Sequence, residues 1–313
     1  MGKLLNLIRN EWMKLWHKKA TWVMVILLIA MIIGLVGLTK WMDRNTETPP
    51  WEQSITEELT MVKQQLTASD LSNETKSNLE EQQMLLQYRL DERVAPISGQ
   101  GFEGFMMESY GMSSIITLLT VIVAAGIVAS EFSQGTIKML LARPVRRWKI
   151  LTSKFLTVVA FALFLTVISY VVSLIMGMIF YDALGGSLLE VVNGQVIEES
   201  YWLKSIWLNV LALGDVIITA SFAFAIGTVF RSSSLAIGIA IFLMFTGTQF
   251  SFLLRNYEVA KYILFSHTFT QIETGGSFIE GISTPFSVAV LVVYFAFFLA
   301  ISYWTFTRRD VTA

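Results

Sequence analysis

The residues with the clearest chemical potential are two acids at or inside long apolar runs. Asp182 follows Tyr181 at the end of one run, and Asp215 follows Gly214 inside another. Two carboxylates that share a proton can activate a water molecule. Asp215 lies ~10 residues inside its run, so helical rise places it ~15 Å deeper than Asp182. This difference in depth argues against a catalytic pair, and we predict no catalytic residue.

The other side chains offer little further chemistry. The chain has no cysteine, which excludes disulfides, thiolate metal sites and cysteine nucleophiles. Its two histidines, His17 and His267, are too few for a histidine metal cluster. The phosphate-binding run G-x-x-x-x-G-K-[ST] occurs nowhere in the sequence. We therefore predict no metal, cofactor or nucleic acid bound to this chain itself.

Composition predicts an integral membrane protein. Hydrophobic residues make up 54% of the chain and charged residues 15%, against about 45–50% and about 25% in soluble domains. Long uncharged runs alternate with polar stretches that hold nearly all of the charges. A bilayer accepts such runs as helices, because a helix satisfies its own backbone hydrogen bonds. The predicted fold class is an all-α polytopic membrane protein.

Six runs reach the length of about 20 apolar residues that a bilayer requires. Lysine and arginine favour the cytoplasmic side of a membrane. One set of alternate connecting segments has 14 basic and three acidic residues, and the opposite set has nine basic and 20 acidic ones. Both termini are therefore predicted to be cytoplasmic, in a multi-pass protein of the cell membrane. The six predicted spans are Ala20–Thr39, Met112–Ser130, Phe155–Phe180, Ser205–Phe230, Leu235–Leu254 and Phe286–Phe306.

The segments outside the spans have predicted structures of their own. Residues 1–19 form a cytoplasmic amphipathic helix, with tryptophans at headgroup depth and a basic face toward anionic lipid. The extracytoplasmic segment 40–111 is a helical domain. The outer segment 255–285 enters the membrane in part, where other parts of the protein must cover its backbone. The remaining boundaries are span one at 20–39, the transmembrane core at 112–306 and a cytoplasmic tail at 307–313.

The extracytoplasmic domain is predicted to be a helical hairpin. Residues 52–67 and 77–93 each have the composition and spacing of a polar helix with an apolar stripe. Gly99, Gly101 and Gly104 indicate an irregular return to the membrane. The facing side chains are predicted to be Leu59, Val62 and Leu66 on the first helix and Leu79, Leu86 and Leu90 on the second.

The cytoplasmic loop 131–154 has more order than a topology anchor needs. Glu131 follows span two, and Gly135 permits a sharp turn. Thr136 is a suitable N-cap for a short helix that ends before Pro144. A short helix with an apolar face in the cytosol is typical of an element that docks into a groove on another protein. The apolar face consists of Ile137, Leu140 and Leu141.

The loop contains the pattern Glu131-x-x-x-Gly135-Thr136, then Leu140-Leu141, then Arg143-Pro144-Val145-Arg146-Arg147, and then Lys154. This pattern resembles the cytoplasmic loop of type-2 ATP-binding-cassette (ABC) transporter permeases, a family that includes bacterial antibiotic, bacteriocin and sodium exporters. The resemblance extends over the whole chain, from the amphipathic helix to the partly re-entrant segment. The chain departs from the family at Arg146, where serine is usual, and in its 72-residue outer loop.

The resemblance implies a transmembrane permease subunit that exports an amphipathic compound, peptide, lipid or ion. ATP and Mg²⁺ would bind to a separate dimer of ABC ATPase subunits, and a second permease copy or paralogue would complete the transporter. The basic residues alone are equally explained by a positive-inside anchor. The residues expected to contact the ATPase are Glu131, Gly135, Thr136, Ile137, Leu140, Leu141, Pro144 and Arg146.

Two other functions stay open. A non-transporting membrane sensor or receptor could use the outer hairpin and would need no ATPase. An intramembrane aspartyl protease is the weaker alternative, because Ala212 replaces the first glycine of that family's Gly-x-Gly-Asp motif and no Pro-Ala-Leu follows. Asp215 itself either contacts a cation or substrate in a translocation path, or it is a structural residue that is hydrogen-bonded to a neighbouring helix or kept protonated.

Overall fold

The structure, a computed structural model, describes residues 2–44, 49–67, 73–137, 145–230, 232–274 and 282–308. Within these ranges, six helices are long and apolar enough to cross a membrane. The chain is therefore an all-α polytopic membrane protein, as predicted. The six spans are the helices Lys19–Asp43, Phe102–Ser133, Arg147–Phe180, Tyr201–Val229, Ser233–Leu253 and Thr284–Arg308.

Span three begins earlier than its apolar run does. Its helix starts at Arg147, eight residues before the predicted start at Phe155, so the end of the 131–154 loop is helical. Spans need apolar residues only within the hydrocarbon layer, and a helix that extends beyond this layer can contain charged side chains. The polar extension holds Lys154 in the same helix as the span.

The approach to span two is irregular as far as Gly101, as predicted, and becomes helical at Phe102, so that Gly104 lies in a helix. A short helix, Phe102–Met107, leads through the 3-10 turn Glu108–Met112 into the helix Ser113–Ser133. Gly104 permits a close backbone contact, because a Cβ atom there would lie 2.2 Å from the carbonyl oxygen of Ser98.

The chain divides into two compact units. The first consists of Met1–Ala30, Gly111–Tyr170 and Leu208–Ala313, and the second of Met31–Tyr110 and Val171–Trp207.

In the second unit, the helices Trp51–Leu66 and Asn73–Glu92 pair as the predicted hairpin. The facing residues predicted from the sequence are confirmed, and Ile55 joins them. This core consists of the buried residues Ile55, Leu59, Val62 and Leu86, with Trp51, Leu66, Leu79 and Leu90 packed against it.

The second unit also contains two short strands that the sequence analysis did not anticipate. Leu188–Val192 and Gln195–Glu199 pair antiparallel. The tight turn between them is Asn193-Gly194, with φ angles of 53° and 76°. An Asn-Gly pair readily adopts two consecutive positive φ angles, which this type of hairpin turn requires. The dipeptide was therefore the overlooked sequence signal.

In the first unit, the N-terminal helix Gly2–His17 precedes span one. It packs against span three through aromatic rings, with 4.9 Å between the ring centroids of Trp16 and Phe164. A sharp turn connects it to span one, where the Thr21 hydroxyl donates to the Leu15 carbonyl oxygen at 2.6 Å. The predicted amphipathic helix is confirmed, and these contacts fix it against the first unit.

Candidate functional site

The most concentrated chemistry in the first unit is a cluster of four charged residues, Glu11, Lys14, Glu131 and Lys154. The Lys154 ammonium lies 2.7 Å from a Glu11 oxygen and 3.0 Å from a Glu131 oxygen. The Lys14 ammonium lies 3.2 Å from Glu11 and 3.1 Å from Glu131. Each lysine thus bridges both carboxylates, and we call this ring of ion pairs the charge cluster.

The charge cluster is largely buried. The Lys154 side chain is 1% exposed, and those of Glu11 and Glu131 are 8% and 12% exposed. Removing such charges from water costs several kcal/mol per ion, and close pairing offsets this cost. The pairing is complete here, because two cations alternate with two anions. Lys14 is half-exposed, whereas loss of Lys154, Glu11 or Glu131 would leave a buried charge without one of its partners.

Three helices position the four side chains. Glu11 and Lys14 are three residues apart on the N-terminal helix and therefore share a face. Glu131 lies in the last turn of the helix Ser113–Ser133, and Lys154 lies near the start of span three. The ion pair between Glu131 and Lys154 therefore joins the two ends of the 131–154 loop. Glu11 and Lys14 attach the N-terminal helix to the same point.

The first residues of the loop lie against this cluster. Gly135 has a φ angle of +70°, which confirms the predicted sharp turn at a residue without a Cβ penalty. The Thr136 hydroxyl donates a hydrogen bond to the Glu131 carboxylate. The Ile137 side chain is 4% exposed. The helix that Thr136 is predicted to cap lies outside the described residues, so this cap stays a prediction.

The structure separates the predicted ATPase-contact residues into different environments. Glu131 is occupied by Lys14, Lys154 and Thr136, so the structure gives it an intramolecular role, whereas a direct contact with a partner stays a prediction. Arg146 is exposed. Its neighbour Arg147 donates to the Thr307 carbonyl oxygen at 3.2 Å and so links the loop to span six. Three predicted contact residues lie outside the described residues: Leu140, Leu141 and Pro144.

A cavity of 760 Å³ opens beside the charge cluster. The N-terminal helix, the end of span two and the start of span three supply its walls. The pKa of Lys14, which lines it, is lowered by partial burial, but the Glu11 and Glu131 carboxylates outweigh this effect and raise the pKa above its ordinary value. Lys14 is therefore charged at neutral pH.

Asp215 forms a second, separate site in the first unit. Its carboxylate accepts hydrogen bonds from the Phe269 amide at 2.6 Å, the Thr270 amide at 3.2 Å and the Thr270 hydroxyl at 2.9 Å. These donors belong to the first turn of the short helix Phe269–Thr274. A carboxylate that accepts from backbone amides at a helix start satisfies groups that would otherwise lack a partner.

Asp215 lies 14 residues after the start of the span Tyr201–Val229, so its contact draws the outer segment toward the middle of that helix. The outer segment is covered by protein there, since Leu264 and Ser266 are 7% and 2% exposed. His267 is buried between the Ser287 hydroxyl at 3.0 Å and the Lys261 carbonyl oxygen at 2.8 Å. These contacts attach the outer segment to spans four and six, and its partial entry into the membrane stays a prediction.

The structural explanation of Asp215 thus has direct support. Both carboxylate oxygens accept hydrogen bonds from Phe269 or Thr270, so the carboxylate has donors within the protein. Gly214 allows the approach, because a Cβ atom there would lie 2.9 Å from the Phe269 ring. A role of Asp215 in a translocation path stays a prediction.

Sequence reasoning named Glu131 and Lys154 but missed their partners on the N-terminal helix. Glu11 was the available signal, because it is the only acid among residues 1–19. Anionic lipid headgroups repel a carboxylate, so the one acid on a basic amphipathic helix is expected to have a partner within the protein. A partner 143 residues away along the chain could not be identified from helical periodicity alone.

The fold and the two sites define a polytopic helical membrane protein with a charged junction at the base of the 131–154 loop. The family model for DUF2705, described as "Protein of unknown function", matches residues 73–312. The chain belongs to this family.

Two relatives from Bacillus subtilis (strain 168) are similar to the chain. One, the uncharacterized protein YhcI, is 33% identical over 98% of this chain and 99% of its own length. The other, the uncharacterized membrane protein YdbK, is 28% identical over 68% of this chain and 84% of its own length. The name of YdbK agrees with the membrane fold found here.

Lys154→Met tests the charge cluster. We expect a loss of about 3–5 kcal/mol in the free energy of unfolding, because Glu11 and Glu131 would keep only Lys14 between them. Lys149→Met is the matched control on the same helix, since Lys149 contacts the Trp148 ring and lies outside the cluster. Denaturant unfolding in micelles measures both. The double variant Glu11→Gln with Lys154→Met should recover part of the lost stability. Equal stability of Lys154→Met and Lys149→Met would contradict the assignment.

Asp215→Leu tests the attachment of the outer segment. Hydrogen exchange of the 264–274 segment should accelerate roughly tenfold or more, because three hydrogen bonds to a carboxylate are lost. Asp215→Asn should have a smaller effect, since its amide oxygen still accepts. Thr219→Val, one turn along the same helix, is the control. If hydrogen exchange were unchanged in Asp215→Leu while transport across the membrane was lost, the translocation-path explanation would be favoured instead.

Proposed function

We propose that this chain is the permease subunit of an ABC transporter, driven by ATPase subunits encoded separately. The proposal rests first on the loop pattern from Glu131 to Lys154 and on the six spans. The sequence has no nucleotide-binding run of its own, so ATP and Mg²⁺ would bind to the partner. The substrate class proposed is an amphipathic compound, peptide, lipid or ion, and the direction is export.

The observation that supports this function most directly is the ion pair between Glu131 and Lys154 across the base of the loop. A docking element can transmit force only if it is fixed to the spans that must move. Lys154 attaches the loop to spans two and three, and Glu11 brings in the N-terminal helix. Force applied to the loop would therefore reach three helices at one buried junction.

The charge cluster also gives the loop a preferred geometry before any partner binds. Gly135 reverses the chain, and Thr136 is held by the Glu131 carboxylate. A preorganised docking element binds more tightly than a flexible one, because less conformational entropy is lost on binding. Arg146, which is exposed, remains accessible for a partner.

A membrane sensor is the second candidate function. The outer hairpin has an apolar core of its own, which includes Ile55, Leu59 and Leu86, and a folded extracytoplasmic element suits a receptor. A sensor shares the spans and the loop with a permease but needs no ATPase. Association with an ATPase therefore distinguishes the two functions.

The permease function depends on an orientation with the loop and both termini in the cytoplasm of the cell. Because the chain has no cysteine, single cysteines can report the sidedness of each loop. Gln65→Cys in the outer hairpin and Gln134→Cys in the loop are both exposed positions. A membrane-impermeant maleimide should label the first in intact cells and the second only after the membrane is opened. Labelling of both in intact cells would refute this orientation.

Leu140→Asp tests the docking of the loop on an ATPase. We expect at least a tenfold loss of association, because truncation of an apolar anchor already costs more than ~1–2 kcal/mol and a buried charge costs more. Thr136→Pro should act similarly, because it removes the hydroxyl that donates to the Glu131 carboxylate and a backbone donor. Gln134→Asp introduces the same charge at an exposed neighbour and is the control.

The measurement uses the tagged full chain purified from its native membrane, with copurifying ATPase identified by sequence and its hydrolysis rate determined. Expression and membrane insertion should be equal in all variants. A wild-type rate and association in Leu140→Asp would end the docking proposal. The absence of any ATPase with the wild-type chain would favour the sensor.

A further inference from the structure

The cavity beside the charge cluster has the size and the mixed lining of a small-ligand site. Its volume is 760 Å³, within the range of about 300–1,000 Å³ typical of ligand pockets. Apolar residues such as Leu7 and Ile127 share the wall with polar groups such as Asn10 and Ser130. Such a wall suits an amphipathic ligand.

The charges around the cavity do not balance. Three lysines lie at the cavity, with Lys14 and Lys18 in its wall and Lys154 behind it. Only two carboxylates, those of Glu11 and Glu131, lie beside them. Both carboxylates are taken by Lys14 and Lys154. In the part of the chain that the structure describes, no carboxylate lies within ion-pair distance of Lys18. Among the described residues, Lys18 is therefore a positive charge at this wall without a carboxylate partner.

The electrostatic state of Lys18 agrees with this count. Although part of the side chain is exposed, partial burial and the neighbouring Lys154 lower the pKa of Lys18 below its ordinary value, against weaker opposing effects of Glu131 and Glu11. An anion in the cavity would relieve the repulsion between the two lysines. An anionic ligand thus completes the charge balance that the protein alone leaves unfinished.

Apolar surface on the N-terminal helix and at the start of span one indicates what kind of anion this is. The side chains of Met13 and Trp22 are 42% and 55% exposed, and Met13 also lines the cavity. Exposed apolar side chains on an amphipathic helix bury themselves among acyl chains at a membrane surface. An anionic headgroup and its hydrocarbon tails would both find partners here.

We propose that this cavity binds the phosphate headgroup of an anionic phospholipid. Lys18 is the principal cation for the phosphate, and Lys14 is the second. The acyl chains lie along the exposed apolar side chains of the N-terminal helix. This proposal is independent of the ATPase, because it concerns the lipid that surrounds the chain in any membrane function.

The test is native mass spectrometry of the purified full chain in neutral detergent micelles, titrated with phosphatidylglycerol or with phosphatidylcholine of the same acyl chains. The wild type should retain phosphatidylglycerol preferentially. Lys18→Gln should weaken that binding about fivefold, the effect of one lysine near an anionic lipid surface. Lys18→Arg should preserve binding, because it preserves the charge.

Lys19→Gln is the matched control, since Lys19 is exposed, adjacent in sequence and absent from the cavity wall. It should bind phosphatidylglycerol nearly as the wild type does. Lys18→Gln should also keep its thermal midpoint, because it removes an unpaired charge. Equal weakening in Lys18→Gln and Lys19→Gln would show general surface attraction and overturn the proposal.

Two further arms separate the sources of phosphate. Equal retention of phosphatidylcholine and phosphatidylglycerol by the wild type would overturn the assignment of an anionic headgroup. Displacement of phosphatidylglycerol by millimolar inorganic phosphate would assign the cavity to a free anion and overturn the lipid. Failure of inorganic phosphate to displace the lipid, together with the Lys18 dependence, supports it.

Discussion

The junction of the N-terminal helix with spans two and three depends on the contacts of the Lys154 ammonium, which is buried between Glu11 and Glu131. A charge that is 1% exposed is tolerated only while both carboxylates stay in place. That requirement fixes the N-terminal helix, the end of span two and the start of span three at one point. The loop geometry at Gly135 and Thr136 and the adjacent cavity both follow from this junction.

The spans and the outer hairpin were predictable because each depends on a short-range pattern. Uncharged runs of sufficient length cannot remain in water and predict helices in a membrane. The hairpin core formed from the apolar stripes of two helices, with Leu59 and Leu86 among the residues named in advance. Gly135 was predictable for a local reason too, since its positive φ angle favours a residue without a Cβ atom.

The charge cluster and the Asp215 contacts could not be predicted in the same way. Glu11 meets Lys154 across 143 residues, and Asp215 meets Phe269 across 54, distances over which periodicity gives no information. The residue types alone did predict that each carboxylate has hydrogen-bond or ion-pair donors, because a carboxylate in an apolar setting requires them. The helical start of span three at Arg147 was missed because charged residues masked a helix that continues beyond its apolar part.

The order of the cluster along the chain has a consequence for biosynthesis. Glu11 and Glu131 are made before Lys154, which follows them by 143 and 23 residues. At about 5–20 residues per second, Lys154 is synthesised roughly 7–30 s after Glu11. Until then the two acids have only Lys14 between them. The contact that buries Glu11 against Lys154 can therefore form only after the start of the third span has been synthesised, so the N-terminal helix cannot complete its docking before that point.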